Sequence, residues 1–137
     1  MKKSLLFILV TLFLVSCESS IPEELTTKQI VNLVVNENDW IESTDANDLN
    51  RYYSYSLNMP EISTYKYNKG AVIAYLDKDN VQQTLPTVRH FENGAGNRWT
   101  ETVDYEYSPG SITFYVTSSD FAKIRPAQMY FKVILLW

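Results

Sequence analysis

Apolar and polar side chains alternate along most of residues 98–117. Successive side chains of a β-strand point to opposite faces, so this alternation predicts two strands that each bury one face. Ser108-Pro109-Gly110-Ser111 separates them and fits a tight turn, because proline presets φ and glycine accepts a positive φ. The segment therefore predicts a β-hairpin. Its apolar face, which Glu101 interrupts, consists of Trp99, Val103, Tyr105, Tyr107, Ile112, Phe114 and Val116.

Similar patterning recurs after residue 28 and predicts about seven strands in all. The segments are rich in tyrosine, valine and isoleucine, which favour β-structure. The other predicted strands span residues 29–35, 51–57, 70–76, 81–91 and 129–137. The segments 70–76 and 129–137 are apolar on both faces, as is typical of strands inside a sheet. Residues 39–50 fit a short helix or a long loop. The sequence thus predicts an all-β fold, an antiparallel β-sandwich, with a small β-barrel as the alternative.

A different pattern occupies residues 1–16. Lys2 and Lys3 form a short basic start, and residues 5–15 are apolar except for Thr11. As a helix this run would reach roughly 16 Å, about half of the ~30 Å hydrocarbon core of a bilayer. It is therefore too short to cross a membrane, but it fits the apolar region of a cleaved export signal.

Leu14-Val15-Ser16-Cys17 resembles the lipobox of bacterial lipoproteins, in which a branched residue stands three positions before the cysteine and a small residue directly before it. The resemblance implies that the chain is cut before Cys17, that the sulfur receives a diacylglycerol and that the new amine is acylated. Several acyl chains would anchor the protein stably in a membrane. Cys17 is the sole cysteine of the chain, which excludes an intramolecular disulfide.

Residues 17–28 are predicted to be the lipidated cysteine and a flexible tether, followed by a β-sandwich domain over residues 29–137. Pro22, two serines and three glutamates make this stretch a poor helix or strand. Residue 18 is Glu, whereas an aspartate directly after the cysteine resembles the inner-membrane retention signal of lipoproteins. The sequence therefore favours the outer membrane, with the domain facing the periplasm or the cell surface.

Short landmarks over most of the mature chain also resemble a group of small bacterial envelope lipoproteins whose roles are largely unknown. None of the landmarks is a catalytic motif. The resemblance implies a β-sandwich and a lipid anchor, and it lends no activity. The landmarks are Asp39-Trp40, Met59-Pro60, Gly70 with residues 71–76, Leu85-Pro86 and residues 131–135.

The charge of the chain disfavours nucleic acid as a partner. Lys2 and Lys3 precede the cut and no acidic residue does, so the mature chain carries 10 basic and 16 acidic residues, a net charge of −6. Such a chain repels phosphate backbones and anionic lipid headgroups. We therefore expect the lipid on Cys17, and not surface charge, to hold the protein at the membrane.

Few residues could form a metal or catalytic centre. His90 is the single histidine, so a zinc site is not expected, and no Gly-x-Ser-x-Gly motif is present. The acidic clusters at residues 36–39, 45–48 and 77–80 carry calcium-type oxygen ligands, but they lack the spacing of a calcium loop and fit turns. We expect no metal, no cofactor and no enzymatic activity.

Four aromatic residues are the candidates for ligand binding, namely Trp40, Tyr52, Trp99 and Tyr115. The two tyrosines fall on faces assigned to solvent, and the two tryptophans begin or end strands. Exposed rings can stack on sugars or contact a protein. The sequence therefore favours a lipid-anchored envelope protein with a non-enzymatic binding or structural role, whose ligand is a protein or a glycan. A carbohydrate-binding module that uses surface Tyr and Trp is the alternative.

A small hydrolase is a further alternative. Glycoside hydrolysis needs two carboxylates at a set distance. Glu101 interrupts an apolar strand face, a position that fits either a functional acid or a strand end near solvent, and Asp104 follows three residues later. The hydrolase would use Glu101 or Asp104.

Overall fold

A computed structural model describes residues 27–137; the predicted signal peptide, Cys17 and most of the predicted tether lie outside these residues. The described part contains nine strands and one short α-helix. The strands are β1 (Lys28–Val35), β2 (Ile41–Thr44), β3 (Arg51–Met59), β4 (Ala71–Lys78), β5 (Val81–Thr84), β6 (Thr87–Glu92), β7 (Arg98–Ser108), β8 (Gly110–Ser118) and β9 (Met129–Leu136). Helix α1 (Thr64–Lys69) lies between β3 and β4, and a 3₁₀ turn (Glu37–Asp39) follows β1.

The strands form two antiparallel sheets. One has four strands in the order β1-β9-β4-β5, and the other has five in the order β2-β3-β8-β7-β6. The apolar faces of the alternating strands pack against each other between the sheets, which confirms the predicted β-sandwich. Both β4 and β9 are inner strands of their sheet, as their apolar composition predicts.

The strands differ from the prediction at two places. Residues 81–91 form β5 and β6 instead of one strand, because the chain crosses between the sheets at Leu85-Pro86. Leu85 is buried, and Pro86 has no N–H to donate to a ladder. Residues 39–50 contain β2, where a short helix or a long loop was expected. This edge strand has four residues, too few for an alternation to be recognised in the sequence.

Aromatic rings form the centre of the core between the sheets. Phe114 of β8 and Phe131 of β9 stack across the interface with ring centroids 4.1 Å apart. Trp40, which follows the 3₁₀ turn, packs edge-on against Phe131 at 6.3 Å. Each of these side chains is at most 2% exposed. Their contacts therefore hold the two sheets face to face.

The two ends of the sandwich are named the base and the apex. The base contains Thr27, α1, the Pro109-Gly110 turn and Trp137. Thr27 and Trp137 exchange two backbone hydrogen bonds, of 2.7 and 3.0 Å. Strand β1 begins one residue before the predicted domain boundary at residue 29, because Lys28 already belongs to it. The apex contains the β4–β5 turn, the β6–β7 turn and residues 119–128, which connect β8 to β9.

Candidate functional site at the apex

A cleft of about 750 Å³ opens between the sheets at the apex. The apical ends of β4, β6, β7 and β9 and the connection of residues 119–128 form its walls. Its volume lies in the range of about 300–1,000 Å³ that small-molecule sites occupy. The lining side chains that bear on function are Lys78, Arg89, Phe91, Trp99, Glu101 and Ile124.

Phe91 and Trp99 form an aromatic wall of this apical cleft. They lie directly opposite each other on β6 and β7, and their rings stack with centroids 5.5 Å apart and planes 14° apart. Trp99 is four residues from the buried Val103, so both rings lie on the sheet face that turns toward the other sheet. Both side chains are half-buried. The Phe91–Trp99 pair therefore lies at the apical edge of the hydrophobic core, where the cleft opens to solvent.

The turn between β6 and β7 fixes the register of the aromatic pair. The side-chain oxygen of Asn93 accepts backbone hydrogen bonds from Ala95 and Asn97, each of 3.0 Å. Such Asx-type bonds stabilise a tight connection. Because this turn is closed by Asn93, Phe91 and Trp99 meet across the ladder.

Charged side chains lie beside the aromatic wall. Arg89 and Glu101 are cross-strand partners on β6 and β7. Burial raises the pKa of Glu101, and the nearby charges of Arg89 and Lys78 act in the opposite direction. The Arg89 guanidinium also donates from Nε to the Gln83 side-chain oxygen at 3.1 Å, which links the two sheets at the apex. The cleft thus combines an apolar wall with charges of both signs.

The connection of residues 119–128 forms the facing wall. It begins with a turn in which the Asp120 carboxylate accepts a 3.2 Å hydrogen bond from the backbone of Ala122. Near its end, the indole N–H of Trp40 donates to the carbonyl of Ala127 at 3.4 Å. Between these points the side chain of Ile124 is 74% exposed. This wall therefore presents an apolar side chain to solvent next to the aromatic pair.

The four aromatic candidates lie in three places. Trp99 lines the apical cleft, as a ligand-binding residue would. Trp40 is 1% exposed, so the interpretation of this ring as a surface residue is wrong; the 3₁₀ turn before it directs the indole into the core. Tyr52 and Tyr115 lie together on the outer face of the five-stranded sheet, edge to face with centroids 5.9 Å apart. The structure therefore brings Tyr52 and Tyr115 together, and it places Trp40 and Trp99 apart from this pair and from each other.

The outer-face tyrosines are held by a neighbouring acid. The Tyr115 hydroxyl donates to the Glu106 carboxylate. Burial, followed by this hydrogen bond and the charge of Glu106, raises the pKa of Tyr115 to about 12. Tyr115 is therefore a neutral donor at physiological pH, and its hydroxyl proton is already engaged.

The two acids considered for a hydrolase, Glu101 or Asp104, lie on different faces of their sheet. Glu101 faces the apical cleft, whereas Asp104 is opposite Tyr115 and so lies on the outer face. Residues three apart on a strand point to opposite faces of the sheet. Burial and the like charge of Glu106 raise the pKa of Asp104. Within one chain the two carboxylates therefore do not flank one bond, and Glu101 is the one that lines the apical cleft.

The other polar candidates lie at turns or on the surface. His90 is exposed on the sheet face opposite to Phe91. Asp39 accepts the Asn36 backbone N–H at 2.9 Å, and Asp45 accepts that of Leu49 at 2.9 Å, which are turn contacts. Among residues 27–137, no three His, Cys, Asp or Glu side chains are grouped as a metal site would require. The same part of the chain contains no helix whose length and apolar character suffice to cross a membrane.

Sequence reasoning missed Phe91 and Arg89 as members of the site. Their positions opposite Trp99 and Glu101 follow from the register of the β6–β7 hairpin, whose connecting residues are recognisable in the sequence. No signal in the sequence placed Ile124, because its position depends on how residues 119–128 cross the apex.

In comparisons with protein-family models, curated proteins and solved structures, the chain matches none.

Proposed function

We propose that this chain is a lipid-anchored protein of the bacterial envelope that binds a ligand, without transforming it, in the apical cleft. The half-buried Phe91–Trp99 stack in a cleft of about 750 Å³ is the observation that carries the binding role. Large rings left partly open to solvent beside convergent polar groups are typical of ligand sites. The lipobox-like segment that ends at Cys17 supports the anchor.

The arrangement of the two ends suits an anchored binding protein. The segment from Cys17 enters the fold at Thr27, which is at the base, while the cleft opens at the apex. Ten residues span at most about 35 Å when fully extended. An anchored chain would therefore keep its base near the lipid and turn the cleft toward the surrounding compartment. With Glu18 after the cysteine, we place that anchor in the outer membrane.

The lining of the cleft suits a ligand that has an apolar face and polar edges. The aromatic wall offers a ring surface, and Arg89 and Glu101 offer a charged donor and an acceptor beside it. A glycan has this combination, since the C–H face of a sugar ring stacks on aromatic rings and its hydroxyls bond charged groups. A carbohydrate-binding module is therefore the second candidate, with Trp99 as its central residue and Tyr52 and Tyr115 outside the site.

A fluorescence titration tests the binding role. The three tryptophans lie in different places: Trp40 in the core, Trp99 in the cleft and Trp137 at the base. Cell-wall oligosaccharides and envelope peptides should be titrated into the full chain. We expect a member of one class to change tryptophan emission, and Trp99→Phe to abolish that change. Trp137→Phe is the matched control and should retain it. If a ligand binds equally well to the Trp99→Ala variant, the apical cleft is not its site.

A further inference from the structure

Helix α1 presents aromatic and basic side chains at the base. Tyr65 is 63% exposed and Tyr67 is 45% exposed, and the six residues of the helix also include Lys66 and Lys69. No residue of α1 is buried; Tyr67 packs edge-on against Tyr107 with ring centroids 5.8 Å apart, whereas the ring of Tyr65 is the more exposed of the two. Tyrosine is enriched where proteins meet the interfacial layer of a membrane, since its ring is apolar and its hydroxyl is polar.

The helix is fixed tightly to the base. The backbone of Gly70 lies so close to β9 that a Cβ built there would be 2.2 Å from the Leu136 carbonyl oxygen. At the start of the helix the Ser63 side chain accepts a 3.2 Å hydrogen bond from the Lys66 backbone. The backbone of α1 is therefore fixed relative to the sandwich, so its exposed face always points away from the base.

Positive charge gathers at the same end. The Lys66 ammonium lies 3.5 Å from the centre of the Trp137 ring and donates to the Gln29 side chain at 2.9 Å. Lys28 is opposite Leu136, and Lys69 lies two residues before Ala71, which pairs with Leu136 on its other side. Three lysines thus surround the end of β9.

Negative charge lies mainly away from the base. The acids at the apex and in the connections nearest to it are Glu37, Asp39, Asp45, Asp48, Asp77, Asp79, Glu92 and Asp120. Glu61, which precedes α1, and Glu106, which lines a pocket together with Tyr67 and Asn68, are the acids near the lysines. The net charge of the chain conceals this asymmetry. Among residues 27–137, basic side chains therefore outnumber acidic ones at the base by three to two. At the apex the eight acids outnumber the six basic residues Arg51, Lys78, Arg89, Arg98, Lys123 and Arg125.

We propose that the base is a docking surface for anionic lipid headgroups, formed by Lys28, Tyr65, Tyr67, Lys69 and Trp137. This inference rests on the lipid anchor of the proposed function, because the segment that leads to Cys17 joins the fold at Thr27, within the same surface. Its charge complements anionic headgroups, and its rings suit the interface. The anchor would hold the protein at the membrane, and the docking surface would hold the cleft pointing away from it.

A single fluorophore can report this orientation in the full-length, lipidated chain. Cys17 is the sole cysteine, so an acylated sulfur leaves a newly introduced cysteine as the one free thiol. Thr64→Cys places a label on α1, and Ala95→Cys places one at the apex; both positions are exposed. The labelled proteins are reconstituted into vesicles of phosphatidylcholine and phosphatidylglycerol that contain a headgroup quencher. Flotation of the vesicles reports the anchor separately from the label.

In the vesicle-bound protein, we expect the label at position 64 to be quenched several-fold more strongly than the label at position 95. Lys28→Glu with Lys69→Glu should abolish that difference while the protein still floats with the vesicles. Lys123→Glu with Arg125→Glu makes the same change of charge near the apex and should preserve it. Equal quenching at both positions in floating protein overturns the docking surface and leaves the anchor intact. Loss of flotation in the presence of Cys17 overturns both proposals.

Two other occupants of the base give distinct results. Residues 18–24 contain three glutamates that could pair with the lysines. In that case the label at position 64 would be protected from aqueous iodide in detergent, without quenching by lipid. A second copy of the chain would give protection that depends on protein concentration. Either result contradicts docking on lipid.

Discussion

The Tyr105 hydroxyl on β7 donates a 2.8 Å hydrogen bond to the backbone carbonyl of Val72 on β4, and this bond joins the two sheets near the base. Its removal leaves a partly buried carbonyl without that donor. We expect Tyr105→Phe to lower the free energy of unfolding by about 1–2 kcal/mol. Urea unfolding of the full chain measures this. Tyr65→Phe, at a ring that is 63% exposed, is the control and should have little effect. Equal stabilities of the two variants would show that the bond contributes nothing.

The close approach of Gly70 to β9 gives a second expectation. A Cβ at this position would be 2.2 Å from the Leu136 carbonyl oxygen and 2.8 Å from that of Lys66. The first atom belongs to β9 and the second to α1, so neither can move without loosening one of these elements. We expect Gly70→Ala to destabilise the fold by about 1–3 kcal/mol, as overpacking does. Gly94→Ala is the matched control, because no atom lies within 4 Å of its Cβ position. A thermal melt in which both variants resemble the parent contradicts this description of the base.

Glu101 gives a dependence of stability on pH. Burial raises the pKa of Glu101 above its ordinary value of 4.5, so near this pH the folded state holds a proton that the unfolded state releases. Ionisation therefore disfavours the folded state as the pH rises from about 4.5 toward the folded pKa. We expect Glu101→Gln to gain stability relative to the parent across this window and to keep the gain at neutral pH. Urea unfolding at a series of pH values measures the difference.

Asp120 provides a control of opposite sign. Hydrogen bonds from the Ser118 hydroxyl and from the Ala122 backbone lower the pKa of Asp120 below its ordinary value of 3.8. Its ionised form therefore stabilises the folded state above pH 3.8, and this contribution disappears as the pH falls through the lower folded pKa. Asp120→Asn should lose stability at neutral pH and match the parent in strong acid. If both variants changed stability in the same direction with pH, the two local environments would be misassigned.

Regular alternation made much of the sandwich predictable. The β7–β8 hairpin follows from the apolar positions on either side of Pro109-Gly110, and the structure places Gly110 at a φ of 85°. Alternation says nothing about which sheet a strand joins. The crossing at Leu85 divided a predicted strand, and β2 has too few residues to show a pattern. These features depend on tertiary contacts, which outweigh local preference.

The candidate site was predictable only in part. Glu101 was visible as a break in an apolar face, and Trp99 as an aromatic residue near a strand end. Trp40 has the same sequence character as Trp99, yet its neighbour Phe131 and its bond to Ala127 place it in the core. Burial of this kind is decided by elements distant in sequence. The cleft wall of residues 119–128 is likewise fixed by packing and not by a local motif.

Fractionation of cells that carry Cys17→Ser tests the lipid anchor most directly. A serine cannot accept the thioether-linked lipid, and the part of the chain that the structure describes has no helix long and apolar enough to cross a membrane. We expect the parent protein to sediment with the envelope and the Cys17→Ser variant to appear in the soluble fraction. Ser16→Ala keeps a small residue before the cysteine and should sediment like the parent. Sedimentation of Cys17→Ser with the envelope to the same extent as the parent would contradict the anchor, and with it the orientation of the apical cleft.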